Sequence, residues 1–102
     1  MDTQKRIKDI VGDNRVVLFM KGTPDFPQCG FSMRAASILR ALEVPFHTVD
    51  VLSDPEVRQG IKVFSNWPTI PQLYIDQQFV GGSDIMNQMW EQGELEKLVQ
   101  TS

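Results

Sequence analysis

The chain has one cysteine, one histidine and one tyrosine in 102 residues. A single cysteine excludes an intramolecular disulfide and is expected in a reducing compartment. One cysteine and one histidine also fall short of the tetrahedral set that a protein-only zinc site needs. Positive charge is scarce. Ten Lys and Arg against thirteen Asp and Glu leave a net charge of −3. No basic run is present, so nucleic-acid binding has no support. Long apolar runs are missing too. The longest, Val16–Met20, has the length of a strand, far from the roughly 20 residues that cross a bilayer. The opening stretch MDTQKRIKDI has no apolar signal core and carries acids, so no targeting segment is expected in it. The expectation is a cytoplasmic protein that engages neither membrane nor nucleic acid. An organelle matrix is the alternative if a transit peptide has been removed.

What is present is an ordinary globular composition: 41% hydrophobic, 23% charged and 9% aromatic. That excludes a disordered chain, and the length suits one domain over residues 1–102. There is no internal repeat, linker or low-complexity segment.

Hydrophobic spacing divides the chain into nine elements. Ile7, Ile10 and Val11 predict a helix over 2–11, ended by Gly12-Asp13-Asn14. VVLFM (16–20) is β-branched, aromatic and continuously apolar, as a buried central strand is. KGTPDFPQ (21–28) is a long polar loop with two prolines. Ala35, Ile38, Leu39 and Leu42 predict a second helix, closed by Val44-Pro45. FHTVDV (46–51) predicts a second strand. Asp54 suits an N-cap and Pro55 a first helical position, which opens a third helix. After WPTIP (67–71), QLYI (72–75) and QFVG (78–81) predict a hairpin that turns in DQQ. Gly81-Gly82-Ser83-Asp84 starts a fourth helix, with Ile85, Met89 and Trp90 inward and Met86 in the core. Gly93 breaks it, and ELEKLV (94–99) forms a last short helix.

The first two strands, joined through a helix, form a parallel β-α-β unit. The last two pair antiparallel. The economical assembly is an α/β, thioredoxin-like fold: a four-stranded mixed sheet flanked by about five helices.

Cys29 falls at the turn into the second helix. Free N–H groups and the helix dipole stabilise a thiolate there, and Lys21 is a neighbouring cation. These predict a thiol pKa lowered from about 8.5 toward neutrality or below. An inert buried cysteine is the competing reading. Pro27, Gln28 and Gly30 are not core companions, however, and Gly30 leaves the sulfur unshielded. A hydrolase nucleophile needs a base within reach. The only candidate, His47, belongs to the second strand and is expected to face solvent.

Three stretches, MKGTPDFPQCGFS (20–32), RQGIKVFSNWPTIPQLYI (58–75) and VGGSDI (80–85), resemble the monothiol glutaredoxins of the CGFS class. The resemblance covers nearly the whole chain, and the long loop between Lys21 and Cys29 is itself a mark of that class. It implies glutathione as ligand. Glutathione carries a carboxylate at each end and a thiol between. Lys21 and Arg58 suit its glycine carboxylate. The resemblance makes Pro71 a cis proline that presents the Ile70 backbone to the middle of the peptide, as an added strand would be presented. Gly82, Ser83 and Asp84 begin a helix whose N–H groups suit the γ-glutamyl carboxylate, with the Asp84 side chain toward its ammonium. Each of these residues also has an ordinary reading, as a solvated charge, a hairpin exit or a helix-terminal acid. Their joint placement about one thiol favours the site.

The place of a second thiol is taken by Ser32, and Ser83 stands where some relatives have another cysteine. Resolution within the chain is therefore closed. A [2Fe–2S] cluster takes four thiolates. Cys29 from each of two subunits and the thiols of two glutathiones make four. The expectation is a homodimer when cluster-loaded and a monomer when apo, acting in iron–sulfur cluster transfer and iron homeostasis. The resemblance also implies BolA-like partners and apo iron–sulfur acceptor proteins. The alternative is a glutathione-dependent thiol-disulfide oxidoreductase that removes glutathione from proteins. The resemblance implies that the long loop, together with Ser32, disfavours that thiol transfer.

Overall fold

The structure is a computed structural model that describes residues 2–100. Its elements are α1 (Thr3–Asp13), β1 (Val16–Met20), α2 (Gly30–Ala41), β2 (His47–Asp50), α3 (Pro55–Ser65), β3 (Gln72–Ile75), β4 (Gln78–Gly81), α4 (Ser83–Glu91) and α5 (Glu94–Gln100). The sheet order is β2-β1-β3-β4. β1 runs parallel to β2 and antiparallel to β3, and β3 runs antiparallel to β4. This is the thioredoxin-like arrangement.

The apolar run of β1 is explained by burial on both faces. Val16, Leu18 and Met20 pack into one core with Ala35, Ile38 and Leu39 of α2, Met86 of α4 and Leu95 of α5. Val17 and Phe19 point the other way. They join Ile7 and Val11 of α1, Val57 and Ile61 of α3, and Tyr74. A strand alternates its side chains, so five consecutive apolar residues feed two cores.

The helix starts follow from local chemistry. Asp2 caps α1 by accepting from the Gln4 N–H at 3.0 Å. Asp54 caps α3 by accepting from the Val57 N–H at 3.2 Å, with Pro55 in the first turn. Asp54 also takes Arg6 of α1 at 2.7 Å, which ties the two helices of that face together.

Several boundaries move. α1 does not stop at Gly12 but runs on to Asp13; Asn14 closes it by donating to the Ile10 carbonyl at 2.9 Å. α2 ends at Ala41, ahead of Val44-Pro45, with Glu43 at positive φ after it. β2 keeps only His47–Asp50 of the predicted 46–51. The hairpin turn is narrower than DQQ: it is two residues, Asp76 and Gln77, both at positive φ, and β4 starts at Gln78 as QFVG (78–81) predicted. Two left-handed residues match the twist of the flanking strands. Trp90 is a correction. It was expected inward, but 43% of it is exposed. It is the penultimate residue of α4, and Met86, one turn earlier, takes the core position. Met89 and Ile85 are half-buried.

Candidate functional site

One cleft of about 430 Å³ opens where the C-terminal end of β1, the start of α2, α3, the segment before β3 and the start of α4 converge. All eight residues singled out in the sequence line it: Lys21, Cys29, Arg58, Ile70, Pro71, Gly82, Ser83 and Asp84. Phe31, Lys62, Trp67, Pro68, Thr69 and Ile85 complete its walls.

Cys29 is the N-cap of α2, in extended conformation and partly exposed. Its side chain makes no capping hydrogen bond, so the sulfur sits beside helix N–H groups that it does not consume. The Ser32 backbone N–H is the chief cause that lowers the thiol pKa. Burial pushes back, and the Phe31 N–H, the Lys21 charge and the Ser32 hydroxyl lower it further. The thiolate is therefore favoured by orphan helix donors first and by a neighbouring cation second. A Cβ on Gly30 would meet nothing within 4 Å, so this position faces open space.

Ser32 is wholly buried, and its Oγ accepts from the Lys21 N–H at 3.0 Å. This bond ties the end of β1 to the first turn of α2. It brings Lys21 beside Cys29 although eight positions separate them. The loop between them is closed on itself. Gly22 bridges to Pro27, and Gln28 donates its N–H to the Lys21 carbonyl at 2.9 Å. Thr23 and Phe26 exchange backbone bonds, and Arg40 of α2 holds Asp25 at 2.8 Å. Gly22 is at φ 88°, and a Cβ there would fall 2.5 Å from the Phe26 carbonyl oxygen. Asp50, at the end of β2, accepts from the Gly22 N–H at 2.9 Å. The predicted long polar loop is thus a pinned finger.

Arg58 and Lys62 stand four residues apart on α3 and face the same cleft. With Lys21 they give it three cations. The sequence reading missed Lys62, although its spacing from Arg58 puts both on one helix face. The Ile70–Pro71 peptide is cis, as expected, and both residues are buried. Trp67 leans on Phe79, with ring centroids 5.9 Å apart. Gly82 is pressed against this segment: a Cβ would lie 3.2 Å from the Pro71 carbonyl oxygen. Side by side with Gly82, Ser83 and Asp84 open α4. The Ser83 Oγ is buried with no hydrogen-bond partner in the described protein.

His47 is exposed on β2 and does not line this cleft; it borders a separate depression with Asp13, Arg15 and Phe46. The thiol therefore has no imidazole base beside it. Among the described residues, no helix is long and apolar enough to cross a membrane.

The glutaredoxin family model matches residues 16–80, from β1 into β4. A monothiol glutaredoxin of Synechocystis sp., ycf64-like, is 52% identical over 101 residues, which cover 99% of this chain and 94% of the relative. This chain belongs to the monothiol glutaredoxin family. Glutaredoxin 4 of Pasteurella multocida is 46% identical, over 97% of this glutaredoxin and 91% of that protein. In three dimensions, the solution structure of a monomeric truncated mutant of Trypanosoma brucei 1-C-Grx1 superposes with a TM-score of 0.88. It is 43% identical, with 98% of this glutaredoxin and 91% of that chain covered.

The donor set limits what this glutaredoxin can hold. It has one thiol, and no group of three or more His, Cys, Asp and Glu side chains gathers among the described residues. A site needing four thiolates has to draw the others from a second chain and from thiol ligands. A partly exposed Cys29 with a lowered pKa, at the edge of an open cleft, fits such sharing.

Proposed function

We propose that this glutaredoxin binds glutathione in the Cys29 cleft and, as a pair of chains, shares a [2Fe–2S] cluster that it delivers to apo iron–sulfur proteins. The observation that carries the reading is the assembly of one cleft from five separate segments. Cations stand just past β1 and on α3, a fresh helix start is provided by α4, and the activated thiol sits at the start of α2. Its volume suits a small peptide.

Lys21, Arg58 and Lys62 would neutralise the carboxylate of the glycine end. The N–H groups at the start of α4 would take the carboxylate of the γ-glutamyl end. The Ser83 hydroxyl, buried and unpartnered, fits a carboxylate there as well. The Ile70 backbone, just ahead of β3, would pair with the middle of the peptide. The glutathione sulfur is then held near Cys29. When bound, the cluster supplies a group that accepts thiolate ligands and can be passed to a protein offering more of them. Cys29 would contribute one ligand per chain, held as thiolate by the N–H groups of Ser32 and Phe31. BolA-like proteins are the further partners in this reading, and a reducing compartment such as the cytoplasm or an organelle matrix is the setting.

A second reading is favoured by the same lowered thiol pKa. The Cys29 thiolate attacks the glutathione sulfur of a glutathionylated protein. The protein–glutathione S–S bond breaks, a Cys29–glutathione S–S bond forms, and the protein leaves as a thiolate that takes up a proton. A free glutathione thiolate then attacks that bond, frees Cys29 and departs as glutathione disulfide.

Anaerobic reconstitution with iron, sulfide and glutathione separates the two. The cluster reading expects visible colour and dimer to appear together, and both to be absent in Cys29→Ser. No colour with glutathione present, beside vigorous release of glutathione from a glutathionylated protein, overturns it in favour of the second.

A further inference from the structure

One wall of the cleft is a stretch of irregular chain, 67–70, between the end of α3 and β3. Irregular backbone has no ladder to satisfy its carbonyls. Pro68 and Thr69 are exposed, and Trp67, also partly open, leans its ring on Phe79. They are held from behind. The Gln72 Nε2 donates to the Trp67 carbonyl at 3.2 Å and to the Thr69 carbonyl at 3.1 Å.

Gln72 is wholly buried. A buried amide is tolerated when its polar atoms are bonded. The two carbonyls use its NH2 group, and its Oε1 accepts from the Tyr74 hydroxyl at 3.2 Å. That pattern fixes which end of the amide faces the wall, because only the nitrogen can serve two carbonyls. Residues 72 and 74 share a strand face, so both rise on the α1/α3 side of the sheet. The Tyr74 ring is braced by Phe19, Phe64 and Phe79, with centroids 5.7, 5.9 and 5.4 Å away. Burial pushes the Tyr74 phenol up to about 12, so it remains a donor at every working pH. From the other side, the Trp67 N–H donates to the Lys62 carbonyl at 3.2 Å and the Ser65 Oγ at 3.1 Å. The Trp67 backbone is therefore gripped by α3 through its N–H and by β3 through its carbonyl, and Thr69 is anchored one residue before Ile70.

We infer that Gln72 is a positioning residue of this cleft: from within the sheet it sets where the 67–70 wall stands, and so how the Ile70 backbone meets an extended peptide ligand. The inference rests on the glutathione reading above. It assigns to a core side chain, which touches no ligand, control over how the middle of the peptide is held and not over its γ-glutamyl end.

The test is titration of the apo protein with reduced glutathione, followed by calorimetry and by backbone amide shifts. Gln72→Met keeps length and suits a buried position, but leaves both wall carbonyls without their donor. Wild type should bind with shifts at Ile70 and at Ser83 and Asp84. Gln72→Met should bind about tenfold more weakly. Its Ile70 response should be lost, while the response at Ser83 and Asp84 persists. Equal affinity and an unchanged Ile70 response overturn the inference, as does a uniform loss at Ile70 and at Ser83 and Asp84, which marks a merely structural residue. If Gln72→Met does not fold, Gln72→Glu, equal in shape and poorer in donors, is read by the same criteria. A wild type that shows no binding at millimolar glutathione overturns the glutathione reading itself, and the inference with it.

Discussion

Replacing Ser32 by alanine separates two jobs that meet at one residue. The hydroxyl is wholly buried and accepts from the Lys21 N–H at 3.0 Å. Removing it leaves that donor without its partner, at a cost of about 1–2 kcal/mol. For a domain of this size, each kcal/mol lowers Tm by about 4–8 °C. The thiol should respond far less. Its lowered pKa comes first from the Ser32 backbone N–H, which alanine keeps, and the hydroxyl is the smallest of the causes named for it. Urea unfolding followed by tryptophan fluorescence measures the first effect, and iodoacetamide alkylation against pH measures the second. Linkage sharpens the comparison. The folded thiol pKa lies below the unfolded one, so the stability drawn from the thiolate is present above the unfolded value and lost as pH falls through the folded value. The Ser32→Ala deficit comes from a neutral hydrogen bond and should persist below both. A variant as stable as wild type, with a thiol that titrates like free cysteine, would refute this reasoning.

Two further outcomes are expected. Arg58→Ala and Lys62→Ala should each weaken glutathione binding by about 1–2 kcal/mol, with the urea midpoint unchanged and the difference from wild type shrinking in high salt; unaltered affinity in the double variant would count against this orientation of the peptide. Asp54→Ala should cost about 1–2 kcal/mol at neutral pH, because it removes the α3 cap and the Arg6 pair. Arg6 first, and then the Val57 N–H, hold the Asp54 carboxyl below its ordinary value. Its contribution is therefore present above the unfolded carboxyl pKa and lost as pH falls through the folded one. Unfolding curves of wild type and variant should converge in acid, and a gap that stays constant with pH would be the wrong result.

The parts legible in the sequence are those governed by short-range rules. VVLFM announced a strand covered on both faces, Asp54-Pro55 announced a helix start, and Cys29 ahead of a run at 3–4 spacing announced a thiol at a helix start. The eight candidate residues were brought together by three stretches read in order. What escaped depends on contacts between distant residues. Ser32 reads as an absent thiol, and its bond to the Lys21 N–H exists only once β1 and α2 meet. Gln72 reads as one more polar residue at a strand edge until the 67–70 wall folds back over it. Lys62 was within reach, since it follows Arg58 by one helical turn. Trp90 misled because a large apolar side chain in a helical pattern suggests a core, while the end of α4 leaves it exposed.

The pinned finger after β1 has a consequence for how this scaffold can vary. Its two ends are joined by the Gly22–Pro27 bridge and by the bond from Gln28 to Lys21. The span from lysine to cysteine is therefore set at the base of the finger and not by the number of residues in it. Residues 23–26 form its tip, steadied from α2 by the Arg40–Asp25 pair, with Phe26 74% exposed. None of these tip residues lines the cleft, so a label carried there should leave the placing of Lys21 and Cys29 unchanged. It is the natural point at which to attach a probe.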